Sequence, residues 1–159
     1  MIKSFLNMRF KKNIIDLLPK VKGKYIKDAP MSKHTWFAVG GPAEVMYIPE
    51  DEKDLAYFFK HVPENIPITV IGSGSNLLVR DVGIPGVVIN LDSPHFRKHI
   101  LNEDKTLTCY AGKKNMELKK VLLENDLGGL EFLCSIPGAI VGCVKTNAGC
   151  YGHEVKDVI

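Results

Sequence analysis

The stretch that most constrains the fold is residues 68–76, Ile-Thr-Val-Ile-Gly-Ser-Gly-Ser-Asn, where an apolar run stops at a glycine-rich loop. Residues 68–71 are apolar and β-branched, the pattern of a buried strand. The loop after them has little side-chain bulk, two hydroxyls and consecutive backbone N–H groups. Such a loop forms a concavity for an anion, most often a phosphate. Upstream, residues 43–48 alternate as a strand. Pro49 opens a helix whose first turn carries Glu50, Asp51 and Glu52, well placed against the helix dipole. Leu55, Phe58, Phe59 and Val62 mark its buried stripe, and Pro63 and Pro67 bracket the return to the next strand. Strand, helix and strand form a βαβ unit with the glycine loop at its carboxyl end. Taken alone, a loop of this kind is more often a tight turn than a ligand site.

A second segment changes that balance. Residues 135–152 read Ser-Ile-Pro-Gly-Ala-Ile-Val-Gly-Cys-Val-Lys-Thr-Asn-Ala-Gly-Cys-Tyr-Gly and follow a helix. They clear side chains from a length of backbone, which suits a flat ligand lying against the chain. A diphosphate at one loop and a ring system at the other describe a flavin dinucleotide. Between them the pattern predicts short strands at 77–79 and 86–91, with a turn at 81–86. A polar stretch, 92–105, separates two lobes. Residues 107–111 read as a strand, and Asn115 caps a helix with Leu118, Val121 and Leu122 on its inner face. Gly128 and Gly129 end that helix, and residues 155–159 begin another strand. The class is α+β, with an antiparallel sheet expected in the second lobe.

Charge excludes some functions. Among 159 residues, residues 1–33 hold nine Lys/Arg against two Asp/Glu, a balance of +7, and the rest carries −4. A mildly acidic body argues against an extended nucleic-acid footprint. Phe10, Ile14, Leu17, Leu18 and Val21 recur at helical spacing in the basic lead. The pattern predicts a short amphipathic helix packed on the body, with a membrane-surface or RNA-binding arm as the sharper alternative. Polar residues interrupt any secretory h-region after Lys3, and no run approaches a membrane span. Cys109, Cys134, Cys143 and Cys150 lack the short spacing of a zinc site and read as free thiols of a reducing compartment. The histidines are scattered, so no metal site is expected.

Three blocks resemble a known family. Residues 34–43, His-Thr-Trp-Phe-Ala-Val-Gly-Gly-Pro-Ala, look like its amino-terminal signature, and 72–89 are similar to its pyrophosphate loop and following hairpin. Residues 129–138 and 147–152 resemble its flavin-ring segment. The family is UDP-N-acetylenolpyruvoylglucosamine reductase, and the resemblance runs from about residue 21 to the end. It implies an FAD-binding domain of the vanillyl-alcohol-oxidase type, in two lobes with non-covalent FAD between them. It divides the chain into a basic lead (1–24), a first lobe (25–92) and an incomplete second lobe (93–159), without the substrate-binding domain. It implies a cytoplasmic enzyme of peptidoglycan synthesis that uses NADPH to reduce the enolpyruvyl ether of a UDP-sugar.

Carried over by resemblance, Gly72, Ser73, Gly74, Ser75 and Asn76 hold the FAD diphosphate. Ile136, Pro137, Gly138, Gly142, Asn147, Ala148 and Gly149 line the flavin. Tyr151 either points toward flavin or substrate or packs in a turn, and Arg80 and Asp81 read as loop structure. The family's catalytic arginine, serine proton donor and late glutamate correspond to positions after 159, so no catalytic residue maps here and the chain alone is expected to be inactive. A missing carboxyl-terminal half is a possible partner. The pattern Ile-Pro-Gly-x-x-Gly-Gly departs at Val141, where a β-branched residue is costly if φ must be positive. Three readings stay open: part of a working reductase, a decayed or split-gene fragment, and a non-catalytic flavin- or nucleotide-binding module.

Overall fold

A computed structural model describes residues 13–159. The lead expectation at Phe10 falls outside these residues. Ile14–Leu17 form one 3-10 turn instead of a longer helix, and Ile14, Ile15, Leu18 and Val21 pack on the core.

Four strands make the main sheet: β1 (Lys24–Pro30), β2 (Pro42–Ile48), β3 (Ile68–Ile71) and β4 (Ile84–Asn90). Their order is β1-β2-β4-β3, with β1 antiparallel to β2, and β2 and β3 both parallel to β4. The expected βαβ unit is present, with β4 inserted between its two strands. Helix α1 (Glu52–His61) connects β2 to β3. It starts later than Pro49 because the Asp51 side chain accepts from the Asp54 N–H at 2.7 Å. Phe58 is fully buried, but Phe59 is 49% exposed, so the stripe is narrower than the apolar pattern suggests.

Central position explains why β4 is an almost continuous apolar run, since parallel strands are covered on both faces. On one face Val45, Tyr47, Phe58, Val87 and Ile89 pack together. On the other, Met31, Met46, Ile71, Val79 and Val88 do so. Two sequence expectations fail here. Residues 77–79 form no strand, and no hairpin follows the glycine loop, because β4 pairs in parallel with both neighbours.

Past β4, the 92–105 stretch contains structure that the polar composition hid. Strand β5 (His99–Leu101) pairs antiparallel with β6 (Leu107–Cys109). Helices α2 (Asn115–Glu124), α3 (Glu131–Cys134) and α4 (Ile140–Thr146) follow, then the two-residue strands β7 (Gly149–Cys150) and β8 (His153–Glu154). The antiparallel sheet expected here is two separate hairpins. Residues Val155–Asp157 form a 3-10 turn where a strand was expected. Helix α2 ends at Glu124, before Gly128, with Asp126 left-handed at φ 50°. Leu118, Phe132, Leu133, Cys143 and Val155 form this region's core. No described helix is long and apolar enough to cross a membrane.

Asn115 does not cap α2. Lys114 holds the cap position without a side-chain bond, and Asn115 turns inward, fully buried. Its Nδ2 donates to the Ile136 carbonyl at 2.9 Å and meets Cys143 Sγ, while its Oδ1 has no partner.

Candidate functional site

In open sheets of parallel strands, ligands bind outside the carboxyl ends of the strands. Ile48, Ile71 and Asn90 end β2, β3 and β4 on that edge, and the 72–76 loop begins there. Its shape depends on one glycine. Gly74 has φ +63°, and a Cβ on it would stand 1.9 Å from the His34 carbonyl oxygen. The Trp36 N–H donates to the Gly74 carbonyl at 3.1 Å, tying the loop to the segment before β2.

That arrangement leaves donors unused. Among the described residues, the N–H groups of Ser73, Gly74, Ser75 and Asn76 meet no acceptor. The Ser73 hydroxyl is buried without a partner. Four consecutive free amides and an orphan hydroxyl beside a packed strand are groups that an anion can satisfy. A cavity of about 220 Å³ adjoins it, lined by Lys33, His34, Thr35, Trp36, Gly72, Ser73, Asn90 and Asp92. Sequence reasoning missed Lys33, His34, Asn90 and Asp92 as neighbours of the loop. The available signal was their placement at the ends of adjacent elements. Burial lowers the His34 pKa, with Asp92 opposing and Lys33 assisting. Asp92 is itself paired with Arg97 at 2.5 Å and lies 3.9 Å from Lys114 Nζ, which offsets its charge beside the cavity.

The second glycine segment meets the first at one end. Ser75 Oγ donates to the Pro137 carbonyl at 3.0 Å, and a Cβ on Gly138 (φ +126°) would stand 2.7 Å from Ser75 Oγ. Ile136 N–H is used internally on Leu133 O. Gly142 is exposed, and a Cβ there would meet nothing within 4 Å, so packing does not demand glycine at this position.

Asn147, Ala148 and Gly149 lie past the other end of α4, a seven-residue helix about 10 Å long. The Asn147 side chain is occupied: Nδ2 donates to Glu154 Oε2, and Oδ1 accepts from the Lys156 N–H, both at 2.9 Å. Its backbone is left-handed, φ 47°, and its N–H is also used, on the Val144 carbonyl at 3.3 Å. Tyr151 is 79% exposed at φ 55°, and Arg80 and Asp81 are exposed in a loop.

Val141 is not strained. It is the second residue of α4 in ordinary helical backbone, and its φ is not positive. The expected penalty required a positive φ that the chain does not adopt. Its N–H donates to the Ala111 carbonyl at 2.9 Å.

Residues 43–159 match the family described as FAD binding domain. The chain is 46% identical over 142 residues to a UDP-N-acetylenolpyruvoylglucosamine reductase of Maricaulis maris, covering 89% of this chain and 45% of that protein. Against the reductase of Orientia tsutsugamushi strain Ikeda the identity is 49% over 146 residues, covering 89% and 48%. The chain spans about half the length of the curated relatives it matches. Among solved structures, UDP-N-acetylenolpyruvylglucosamine reductase (MurB) of Thermus caldophilus superposes with a TM-score of 0.62 at 28% identity, over 85% of this chain and 46% of that one. The fold is the α+β, vanillyl-alcohol-oxidase-type FAD-binding fold expected from the resemblance. The chain belongs to the FAD binding domain family, and within it matches the amino-terminal, FAD-binding region of UDP-N-acetylenolpyruvoylglucosamine reductases.

Proposed function

We propose that this chain forms the FAD-holding part of a cytoplasmic, NADPH-dependent reductase acting on UDP-N-acetylenolpyruvoylglucosamine. The substrate comes from the names of its relatives, and NADPH from the family resemblance. The observation that carries the reading is the run of unpaired N–H groups at Ser73, Gly74, Ser75 and Asn76 beside the buried Ser73 hydroxyl. In this reading Gly72, Ser73, Gly74, Ser75 and Asn76 hold the diphosphate. Ile136, Pro137, Gly138 and Gly142, with the backbone of Asn147, Ala148 and Gly149, border the flavin ring.

A bound flavin supplies two-electron redox chemistry, and the protein contributes placement and electrostatics. Here the free amides and Lys33 offset diphosphate charge, while the Ser75–Pro137 contact holds the two segments at a fixed separation. No residue of this chain is assigned a catalytic proton transfer.

Titrating the purified chain with FAD and following flavin fluorescence tests the first part, with saturable one-to-one binding expected. No saturation at millimolar FAD would sink it. The chain alone should show no NADPH oxidation that depends on the enolpyruvyl substrate, because no catalytic residue maps to it. Substrate-dependent NADPH oxidation by the chain alone, at the rate of an ordinary reductase, would overturn this division of labour.

A further inference from the structure

Val141 lies on α4, whose neighbours Ile140 and Cys143 belong to the carboxyl-terminal core, yet it packs against the cluster around Val87 and Ile89. Its Cγ1 lies 3.1 Å from the point where a Cβ on Gly72 would stand, with the Ala139 Cβ at 3.4 Å. Gly72 opens the phosphate loop and precedes the buried Ser73 hydroxyl. A valine in a helix is held almost entirely to one χ1 rotamer. The position of Cγ1 is therefore fixed by the backbone of α4. That backbone is in turn clamped by Ile140 N–H on Lys113 O and Val141 N–H on Ala111 O, both at 2.9 Å.

We propose that Val141 is a positioning residue for the phosphate loop: its branched side chain seats Gly72, so that the affinity of the loop for a dinucleotide diphosphate depends on the shape of residue 141. The proposal rests on the FAD reading above. Glycine at 141 has no side chain to reach Gly72, so removing the valine removes this seat.

Two consequences are measurable. A methyl on Gly72 would press on Val141, so Gly72→Ala should be costly alone and relieved when combined with Val141→Gly. Contacting residues couple in this way, and distant ones do not. In addition, Trp36 is the only tryptophan, its N–H holds Gly74 O, and it lines the cavity, so its quenching by acrylamide reads the loop without any flavin.

The experiment measures FAD affinity and Trp36 quenching in the wild type, Val141→Gly, Val141→Thr and Val144→Gly. Val141→Gly should weaken FAD binding about tenfold and alter Trp36 quenching. Val141→Thr keeps the branched shape but splits its rotamers, and should fall between wild type and Val141→Gly. Val144→Gly puts the same flexibility into an exposed position of α4 and should resemble wild type, which a merely structural role would not allow. If Val141→Gly does not fold, Val141→Ala takes its place with a smaller effect in the same direction. Unchanged affinity and quenching in Val141→Gly, tighter binding in it, or an equal loss in Val144→Gly would overturn the proposal. Absence of FAD binding by the wild type would sink the FAD reading instead, and the quenching series and Gly72–Val141 coupling would still decide the seating of the loop.

Discussion

Gly74 is where a single absent methylene fixes the candidate site. Its φ of +63° suits glycine, and the approach of the His34 carbonyl leaves no room for a Cβ. Gly74→Val must push back the 34–36 segment as well as strain the loop. FAD affinity should fall at least about a hundredfold, with a stability loss of about 1–3 kcal/mol. Isothermal titration and thermal melts check both, and retained FAD binding would move the phosphate site elsewhere. Gly74 was legible because a glycine between two serines, directly after a buried strand, marks a turn whose backbone must stay clear of side chains. Asn115 and Val141 were not. An asparagine before an apolar helix reads as a cap, and nothing local says that its amide turns inward to Ile136. Val141 read as strained because a glycine in the resembled pattern suggested a positive φ, and only the helical backbone of α4 shows otherwise.

At the scale of elements, Asp54 ties two strand ends to a helix start. This carboxylate on α1 is 4% exposed and accepts from four donors: the N–H groups of Lys22, Gly23 and Glu50 and the Tyr47 hydroxyl. Burial raises its pKa, but these hydrogen bonds outweigh burial and hold it below the ordinary value. A depressed carboxylate pKa means that the unfolded state binds the proton more tightly. Its stabilising contribution is present above the unfolded value of about 3.9 and is lost as pH falls through the folded value. Asp54→Asn should cost about 3 kcal/mol at neutral pH, the difference from wild type closing below about pH 4. Urea melts across that range check it, and a pH-independent gap would contradict it. Periodicity located α1 from its apolar stripe, and β2, β3 and β4 from short apolar runs bounded by proline, glycine or aspartate. It failed at 77–79, where Val79 is buried but Leu78 is exposed, an apolar run serving a loop. It also missed β5, whose three residues are all exposed and carry no burial pattern.

Across the molecule, the two packing regions meet beside the 72–76 loop: Ser75 Oγ donates to the Pro137 carbonyl, and Val141 packs on the sheet core with its Cγ1 3.1 Å from where a Gly72 Cβ would stand. A ligand that touches both regions closes them together, while one that touches the loop alone acts on the sheet side. FAD and ADP separate these cases, since ADP carries the diphosphate without the flavin ring. At a hundredfold excess over its Kd, FAD stabilises the folded state by about 2.7 kcal/mol. For a chain of this length each kcal/mol moves Tm by roughly 2–4 °C, so FAD should raise it by roughly 5–10 °C. Hydrogen exchange gives the spatial test. FAD should slow exchange around residues 34–36 and 72–76 and also around 138–150, because the ring would rest on the second segment. ADP should protect only the first set, since the amides free in the loop find their acceptor in the diphosphate. If ADP protects both sets equally, residues 138–150 respond to the diphosphate through the Val141 and Ser75 contacts, and the ring lies elsewhere. If FAD protects neither, the free amides of the 72–76 loop serve some other anion.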